Sequence, residues 1–212
     1  MSRTRSVLAA GTVALSLAFA SGANAGMING GFETGDFTGW TQNLSSGGAQ
    51  SVVSSHTGNS SIYYPTEGYY FALLHAGTQN VLNSISQTYY LGAGQTMTGF
   101  AFFDSADYLP YDDYAIVAIY DSYGALVATP FYSNVSTVGD YGDGAWTAWT
   151  FTAGTSDYFT VTMGVANILD SGLSSYAGFD DIVGSEPIPE PATLALFGLG
   201  LVGLSAGRRR RA

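Results

Sequence analysis

Carboxylates are the side chains through which this sequence could do chemistry. Residues 26–186 hold fifteen Asp and Glu and no Lys or Arg, leaving His56 and His75 as the only possible cations. All six basic residues, Arg3, Arg5 and Arg208 to Arg211, lie outside that stretch. A carboxylate that turns inward here must accept hydrogen bonds, take up a proton or coordinate a metal, because an unpaired buried charge is prohibitively costly. Calcium is the natural cation for such an oxygen-rich set. Asp104, Asp107, Asp112 and Asp113 fall together between two apolar runs and read as solvated loop charge. The alternative is the acid and base pair of a surface polysaccharide hydrolase, which needs a defined separation across a cleft. Asp140-Tyr141-Gly142-Asp143-Gly144 imitates a calcium loop without its third ligand and distal glutamate, and also reads as solvated charge.

Other chemistries find little support. There is no G-x-S-x-G elbow, H-E-x-x-H pair, P-loop or dinucleotide fingerprint, and two histidines leave few bases for a triad. His56 sits among Ser and Gly, and His75 follows Phe71-Ala72-Leu73-Leu74 as a strand residue would. With no cysteine there is neither a disulfide framework nor a thiolate site. A net charge of -10 argues against nucleic acid or an anionic membrane as partner of the body, since both need basic contacts. The body therefore reads as a non-enzymatic binding or structural domain.

The elements that must position these residues are strands. Residues 26–186 show no helical periodicity of useful length and many short β-branched or aromatic runs between turn signals. Strands are predicted over 85–91, 98–103, 114–121, 145–152, 158–167 and 178–183, with Gly-containing breaks at 91–94, 122–124 and 142–144. The expected fold is an all-β, two-sheet antiparallel sandwich of the jelly-roll type, one domain with only the Ser and Gly rich stretch around 45–61 reading as linker-like. Aromatics are abundant, and Tyr63, Tyr64, Tyr69 and Tyr70 are the candidates for stacking on sugar rings. Adjacent tyrosines on a strand point to opposite faces, so some must lie outside. Trp40, Trp146 and Trp149 are expected in the core.

The two ends carry addresses. Arg3 and Arg5 precede an apolar run over 7–20 and the small residues Ala23 and Ala25 of an A-x-A site, so residues 1–25 read as a secretory signal peptide cut after Ala25. At the other end, Pro189-Glu190-Pro191 leads into an uncharged run over 192–206 that stops against Arg208, Arg209, Arg210 and Arg211. As a helix this run would rise about 22 Å, short of a roughly 30 Å hydrocarbon core, with arginines holding the end on the cytoplasmic side. The order Pro-Glu-Pro, short apolar helix, arginine cluster resembles the PEP-CTERM sorting signal of Gram-negative bacteria. That resemblance implies an inner-membrane intermediate, processing of residues 187–212 by an exosortase, and delivery to the cell surface or matrix, in a class associated with exopolysaccharide and biofilm.

The body carries a second resemblance. Ile28-Asn29-Gly30-Gly31-Phe32-Glu33 with Gly39-Trp40-Thr41, and the closing Gly178-Phe179-Asp180-Asp181-Ile182-Val183, are similar to galactose-binding-like jelly-roll carbohydrate-binding modules. The resemblance implies a structural calcium held by Glu33 with Asp180 or Asp181, and a polysaccharide partner. Strand alternation would put Phe179, Asp181 and Val183 on one face and Asp180 and Ile182 on the other, turning Asp181 inward with the apolar pair. A calcium-bridged, self-associating matrix protein is the alternative to polysaccharide binding, and a surface hydrolase the more distant one.

Overall fold

A computed structural model describes residues 27–185 of the chain. The expected signal-peptide residues, with Ala23 and Ala25, and the sorting residues Pro189, Glu190, Pro191 and Arg208 to Arg211 with the apolar run between them lie outside the described residues. The described part is a two-sheet antiparallel sandwich, as the strand pattern predicts. A front sheet is ordered β1 (Thr41–Asn43), β6 (Asn83–Leu91), β11 (Asp157–Ala166), β8 (Tyr114–Tyr120), β9 (Leu126–Asn134). A back sheet is ordered β10 (Thr147–Thr152), β7 (Thr96–Asp104), β12 (Tyr176–Gly184), β5 (Phe71–His75), β2 (Ala49–Val53). A small hairpin, β3 (His56–Thr57) with β4 (Ile62–Tyr63), stands apart from both, and the helical content is one turn, α1 (Val135–Val138).

Alternation builds the core. On β11 the odd residues Phe159, Val161, Met163 and Val165 are buried between the sheets, while Tyr158, Thr160 and Thr162 face out. Opposite them lie Leu74, Met97, Ala101, Phe103, Ala177 and Phe179 of the back sheet. Trp40 and Trp149 are buried as expected, whereas Trp146 is half-buried and its Nε1 donates to the Tyr64 carbonyl at 2.9 Å.

The stretch around 45–61 is a correction to the linker reading, because it forms β2 on the edge of the back sheet and β3 of the hairpin. Its serines hid short strands whose partners are distant in sequence.

A second correction concerns β12. Pairing with β7 slips between Asp180 and Val183, and Asp181 takes a left-handed φ of 51°. This bulge breaks the alternation, so Phe179 and Ile182 both enter the core while Val183 is exposed and Asp181 does not turn inward with them. Gly30 sits against this bulge, where an added Cβ would fall 1.9 Å from the Ile182 carbonyl oxygen, and the Ile182 N–H donates to Gly30 O at 3.0 Å. The opening segment is thereby fastened to the end of the last strand.

The back sheet also buries its outer face. Phe102 lies flat on Tyr63, with ring centroids 3.7 Å apart and planes 8° from parallel, over a cluster with Phe71 and Leu73. Gly178 makes room for it, since a Cβ there would stand 2.0 Å from the Phe102 ring. Gly178→Ala is expected to destabilise the domain by about 1–3 kcal/mol through this overpacking, read as a lowered midpoint in thermal or urea unfolding; an unchanged midpoint would show that the ring moves aside freely.

Candidate functional site

The predicted residues separate into three regions. In the first, Glu33, Asp180 and Asp181 gather around the loop that joins β4 to β5. Glu33 Oε1 accepts from the backbone N–H groups of Tyr69 and Tyr70 at 2.9 and 3.0 Å. Asp180 Oδ2 accepts from the Thr66 N–H at 2.6 Å, the Thr66 hydroxyl at 2.8 Å and the Glu67 N–H at 3.4 Å. Two carboxylates thus straddle one loop and hold it by its amides. Gly68, at φ 67°, lies so close that a Cβ would meet Glu33 Oε1 at 2.3 Å. Burial raises the pKa of Asp180 against the pull of these donors, and burial followed by the charge of Glu67 raises that of Asp181. Among the described residues no group of three or more acidic or histidine side chains is set to hold a metal. An ion here could draw on two carboxylates, and the rest of its shell would have to be backbone oxygen.

The second region is the acidic loop, and it is not solvated as the sequence suggests. Asp104, Asp107 and Asp113 are all buried. Asp104 Oδ2 shares a hydrogen bond with His56 Nε2 at 2.7 Å, the one histidine–carboxylate contact of that length among the described residues. Asp107 accepts from the Tyr108 N–H, and Asp112 from Asn134 Nδ2 and the Ser136 N–H at the start of α1. Asp113 accepts from the Ile168 N–H and the Ser175 hydroxyl, each at 2.8 Å, and burial pushes it up to about 6. Asp140 holds the Leu109 N–H. Asp143 takes the N–H groups of Asn59 and Ser60; burial acts to raise it, yet these donors and the neighbouring Asp104 keep it below the ordinary carboxylate value. Each carboxylate is engaged at a loop end, and Asp104 and Asp143 lie close enough to interact with each other.

The third region is aromatic. Tyr63 is a correction: at 4 % exposure it is a core ring, its phenol donates to Gly144 O at 2.9 Å, and burial followed by the charges of Asp143 and Asp104 raises its pKa. Its neighbour Tyr64 points the other way and is exposed, as strand alternation requires, and Tyr69 and Tyr70 are exposed on the adjoining loop.

A larger aromatic surface lies elsewhere, on the outer face of the front sheet. Cross-strand register sets Tyr158 beside Tyr90, with ring centroids 5.3 Å apart, and Thr160 beside Thr88, their hydroxyls 2.8 Å apart. Thr160 also faces Tyr120 on β8, and further along Ile116 faces Tyr132 of β9, whose ring stacks on Tyr114 at 5.5 Å and 22°. Burial, then the neighbouring phenols, raises the pKa of Tyr114, and burial followed by Asp112 raises that of Tyr132, so both remain hydrogen-bond donors at neutral pH. The result is a face of phenols, Thr hydroxyls and small residues between two tyrosine pairs, with no charged side chain among these outward positions. Sequence reading missed it because the pairs are 68 and 18 residues apart; the signal was the outward alternation Ser86, Thr88, Tyr90 and Tyr158, Thr160, Thr162, which shows a polar face but not which strands adjoin.

Comparison with known proteins adds the address. The segment 187–211 matches the family described as the PEP-CTERM protein-sorting motif. This chain carries a PEP-CTERM sorting motif. The motif implies an exported protein, processed by exosortase and sorted to the cell surface. No curated protein matches the chain. Solved structures with a similar chain path include TmCBM61 in complex with β-1,4-galactotriose, 18 % identical over 76 % of this chain and 97 % of that one, with a TM-score of 0.48. They also include the CBM22-1 xylan-binding domain of Paenibacillus barcinonensis Xyn10C, 14 % identical over 76 % and 93 %, TM-score 0.41. A third is the K3 cleaved adhesin domain of Lys-gingipain from Porphyromonas gingivalis, 17 % identical over 77 % and 100 %, TM-score 0.48.

Asp113 supplies a pH test. A carboxyl raised from 3.8 to about 6 on folding binds its proton more tightly in the native state. Its contribution to stability is therefore greatest below the unfolded value and declines as pH rises through the window from 3.8 to about 6. Asp113→Asn keeps the Ile168 bond through Oδ1 and can donate to the Ser175 hydroxyl, without the charge. Melting temperatures at about pH 4 and pH 7 should shift in favour of the Asn variant on going to pH 7; a difference that stays constant would show that Asp113 does not carry this proton linkage.

Proposed function

We propose that this PEP-CTERM protein is a non-catalytic binding protein of a Gram-negative bacterium's surface matrix, and that the outer face of its front sheet binds extracellular polysaccharide. The observation that carries the reading is the uncharged face flanked by the pairs Tyr90 with Tyr158 and Tyr114 with Tyr132. Sugar rings present C–H faces that stack on aromatic rings and a rim of hydroxyls that needs neutral donors and acceptors, which phenols and Thr hydroxyls provide. A basic groove would instead select phosphate, sulfate or carboxylate groups, and the body has no Lys or Arg with which to build one. The polymer is therefore a neutral one, bound along the strands of an extended face. Engagement of the loop carboxylates with backbone donors supports binding without turnover.

Calcium belongs to this proposal in a structural capacity. Glu33 and Asp180 would hold it, with backbone oxygens of the loop they straddle, and it would neutralise charge that hydrogen bonds alone now satisfy. Asp181, kept out of the core by the bulge and beside Asp180, is a further candidate oxygen donor.

The direct test is retention of the purified protein on the producing organism's exopolysaccharide while polymer length is followed. Tyr132→Ala and Tyr158→Ala should each weaken retention roughly 2- to 10-fold, the worth of one stacking contact, while Tyr69→Ala on the other side of the molecule should leave it unchanged and the polymer should keep its length. Shortening of the polymer would make the protein a hydrolase, and loss confined to Tyr69→Ala would move the site to the loop over the back sheet.

A separate measurement addresses the ion. Calcium should raise the melting temperature of the wild type, EDTA should reverse the gain, and Asp180→Asn should abolish it. A wild type indifferent to both reagents would remove calcium from the account and leave the sugar-binding face standing.

A further inference from the structure

The two tyrosine pairs of the front face are held in different ways. Tyr90 and Tyr158 stand on β6 and β11, inner strands with a neighbour on either side, whose register runs unbroken from Asn83 with Val165 to Leu91 with Asp157. Tyr132 stands on β9, the outermost strand, which pairs with β8 alone. That ladder shifts between Val117 and Ile119 and again between Ile119 and Tyr120, so its regular part is only Tyr114 to Val117 against Asn134 to Phe131. β9 also carries Pro130, which has no N–H to give. The register sets the Tyr132 ring beside Tyr114, but a short ladder at the end of an edge strand is a weak hold, since such ends open at little cost.

A side-chain clamp closes this end. Asn134 is the register partner of Tyr114 and follows Tyr132 by two, so all three side chains stand on the outer face. Its Oδ1 accepts from the Thr137 N–H at 3.0 Å as the N-cap of α1, which fixes the amide so that its Nδ2 donates to Asp112 Oδ2 at 2.9 Å. Asp112 Oδ1 takes the Ser136 N–H at 2.8 Å, and the Asp113 carbonyl takes the Val135 N–H at 3.1 Å. The segment before β8 is thereby tied to the end of β9 through two backbone amides of one helical turn and the side chain of Asn134. Asp112 also lies near enough to act on the Tyr132 phenol. Burial is the first cause of that phenol's raised pKa, the Asp112 charge adds to the rise, and a hydrogen bond with the Asn134 side chain opposes it.

We propose that Asp112 is a positioning residue of the sugar-binding face: by holding Asn134 it keeps Tyr132 stacked on Tyr114, and with it the second of the two points at which a polymer is gripped. This role deepens the proposed polysaccharide site and rests on that reading. Asp112 acts through Asn134 and need touch no sugar. A ring already held in place loses little freedom when it stacks on a ligand, so loss of the clamp costs affinity although the ring itself remains. The first pair needs no such tie, because strands on both sides fix β6 and β11.

The test is a double-mutant cycle read as retention of the purified protein on the producing organism's exopolysaccharide. Asp112→Asn keeps an oxygen for the Ser136 N–H but sets one amide N–H against another at Asn134, and Asn134→Ala cuts the same link from the other strand. Each should weaken retention roughly 2- to 10-fold, as loss of the stacking contact itself does. Either change should cost nothing further in a Tyr132→Ala background and its full factor in a Tyr158→Ala background. In NMR spectra of protein labelled on its tyrosine rings, with signals assigned by replacing each tyrosine with Phe, the rings of Tyr114 and Tyr132 should shift in Asp112→Asn while those of Tyr90 and Tyr158 stay. Unchanged retention in either variant, an undiminished loss in the Tyr132→Ala background, or an equal movement of all four rings overturns the positioning role and leaves the binding face standing. A wild type that the polymer does not retain, or retention indifferent to both Tyr132→Ala and Tyr158→Ala, removes the front-sheet site and this role with it.

Discussion

The absence of lysine and arginine from the body is the constraint on which the rest of the structure depends. A sandwich of this size has many loop ends whose backbone N–H groups need acceptors, and here the carboxylates supply them. Asp112 accepts from the Ser136 N–H of α1, Asp113 ties the 168 and 175 loop to the start of β8, Asp143 receives the turn of the small hairpin, and Glu33 with Asp180 clasps the loop between β4 and β5. The arrangement exchanges ion pairs for amide bonds. Its cost is visible at Asp113, whose proton is held more tightly in the folded chain, and at Asp104, whose Oδ1 is buried without a hydrogen-bond partner.

The two sheets use their outer faces differently, and the difference follows from which face carries large apolar side chains. On the back sheet Phe71, Leu73 and Phe102 point outward and cannot be left in water, so the β3–β4 hairpin folds over them and is latched by Tyr63, by His56 against Asp104 and by Asp143. On the front sheet the outward positions are mainly Ser, Thr, Tyr and small residues, with the half-buried Ile116 beside Tyr132, and they carry no cover. Half-buried phenols and hydroxyls in register on a rigid sheet form a pre-organised surface, where a ligand loses little by way of protein ordering. Had the bulky residues of β7 been exchanged for those of β11, the covered and open faces would have been exchanged as well.

The long strands were legible in the sequence because each crosses the core once and shows its period. The predicted 85–91, 158–167 and 114–121 correspond to β6, β11 and β8 within a residue or two. What escaped was set by pairing at a distance. β2 is a serine-bearing edge strand given its place by β5, and the mostly exposed β9 carries Pro130 and little periodicity. The bulge at Asp181 could not be read from alternation, since one left-handed residue transfers every following side chain to the opposite face. The same step keeps Asp181 out of the core, where the charge of Glu67 acts on it and its N–H donates to Asp180 Oδ1. Tyr63 and Tyr64 illustrate the same limit, for alternation requires that one be outside but only the packing against Phe102 decides which.

Charge sorting unites the address and the body. Every permanently cationic side chain is confined to the two terminal segments, and the body between them is left with carboxylates alone. A body so composed cannot hold an anionic polymer by charge, and any affinity for a matrix must come from ring stacking and neutral hydrogen bonds. Such contacts are individually weak, and they become useful when an extended polymer meets several tyrosines at once on one face. The front sheet supplies such an array because its outward tyrosines are set in register on neighbouring strands, two pairs of rings held at fixed spacing by the ladder itself.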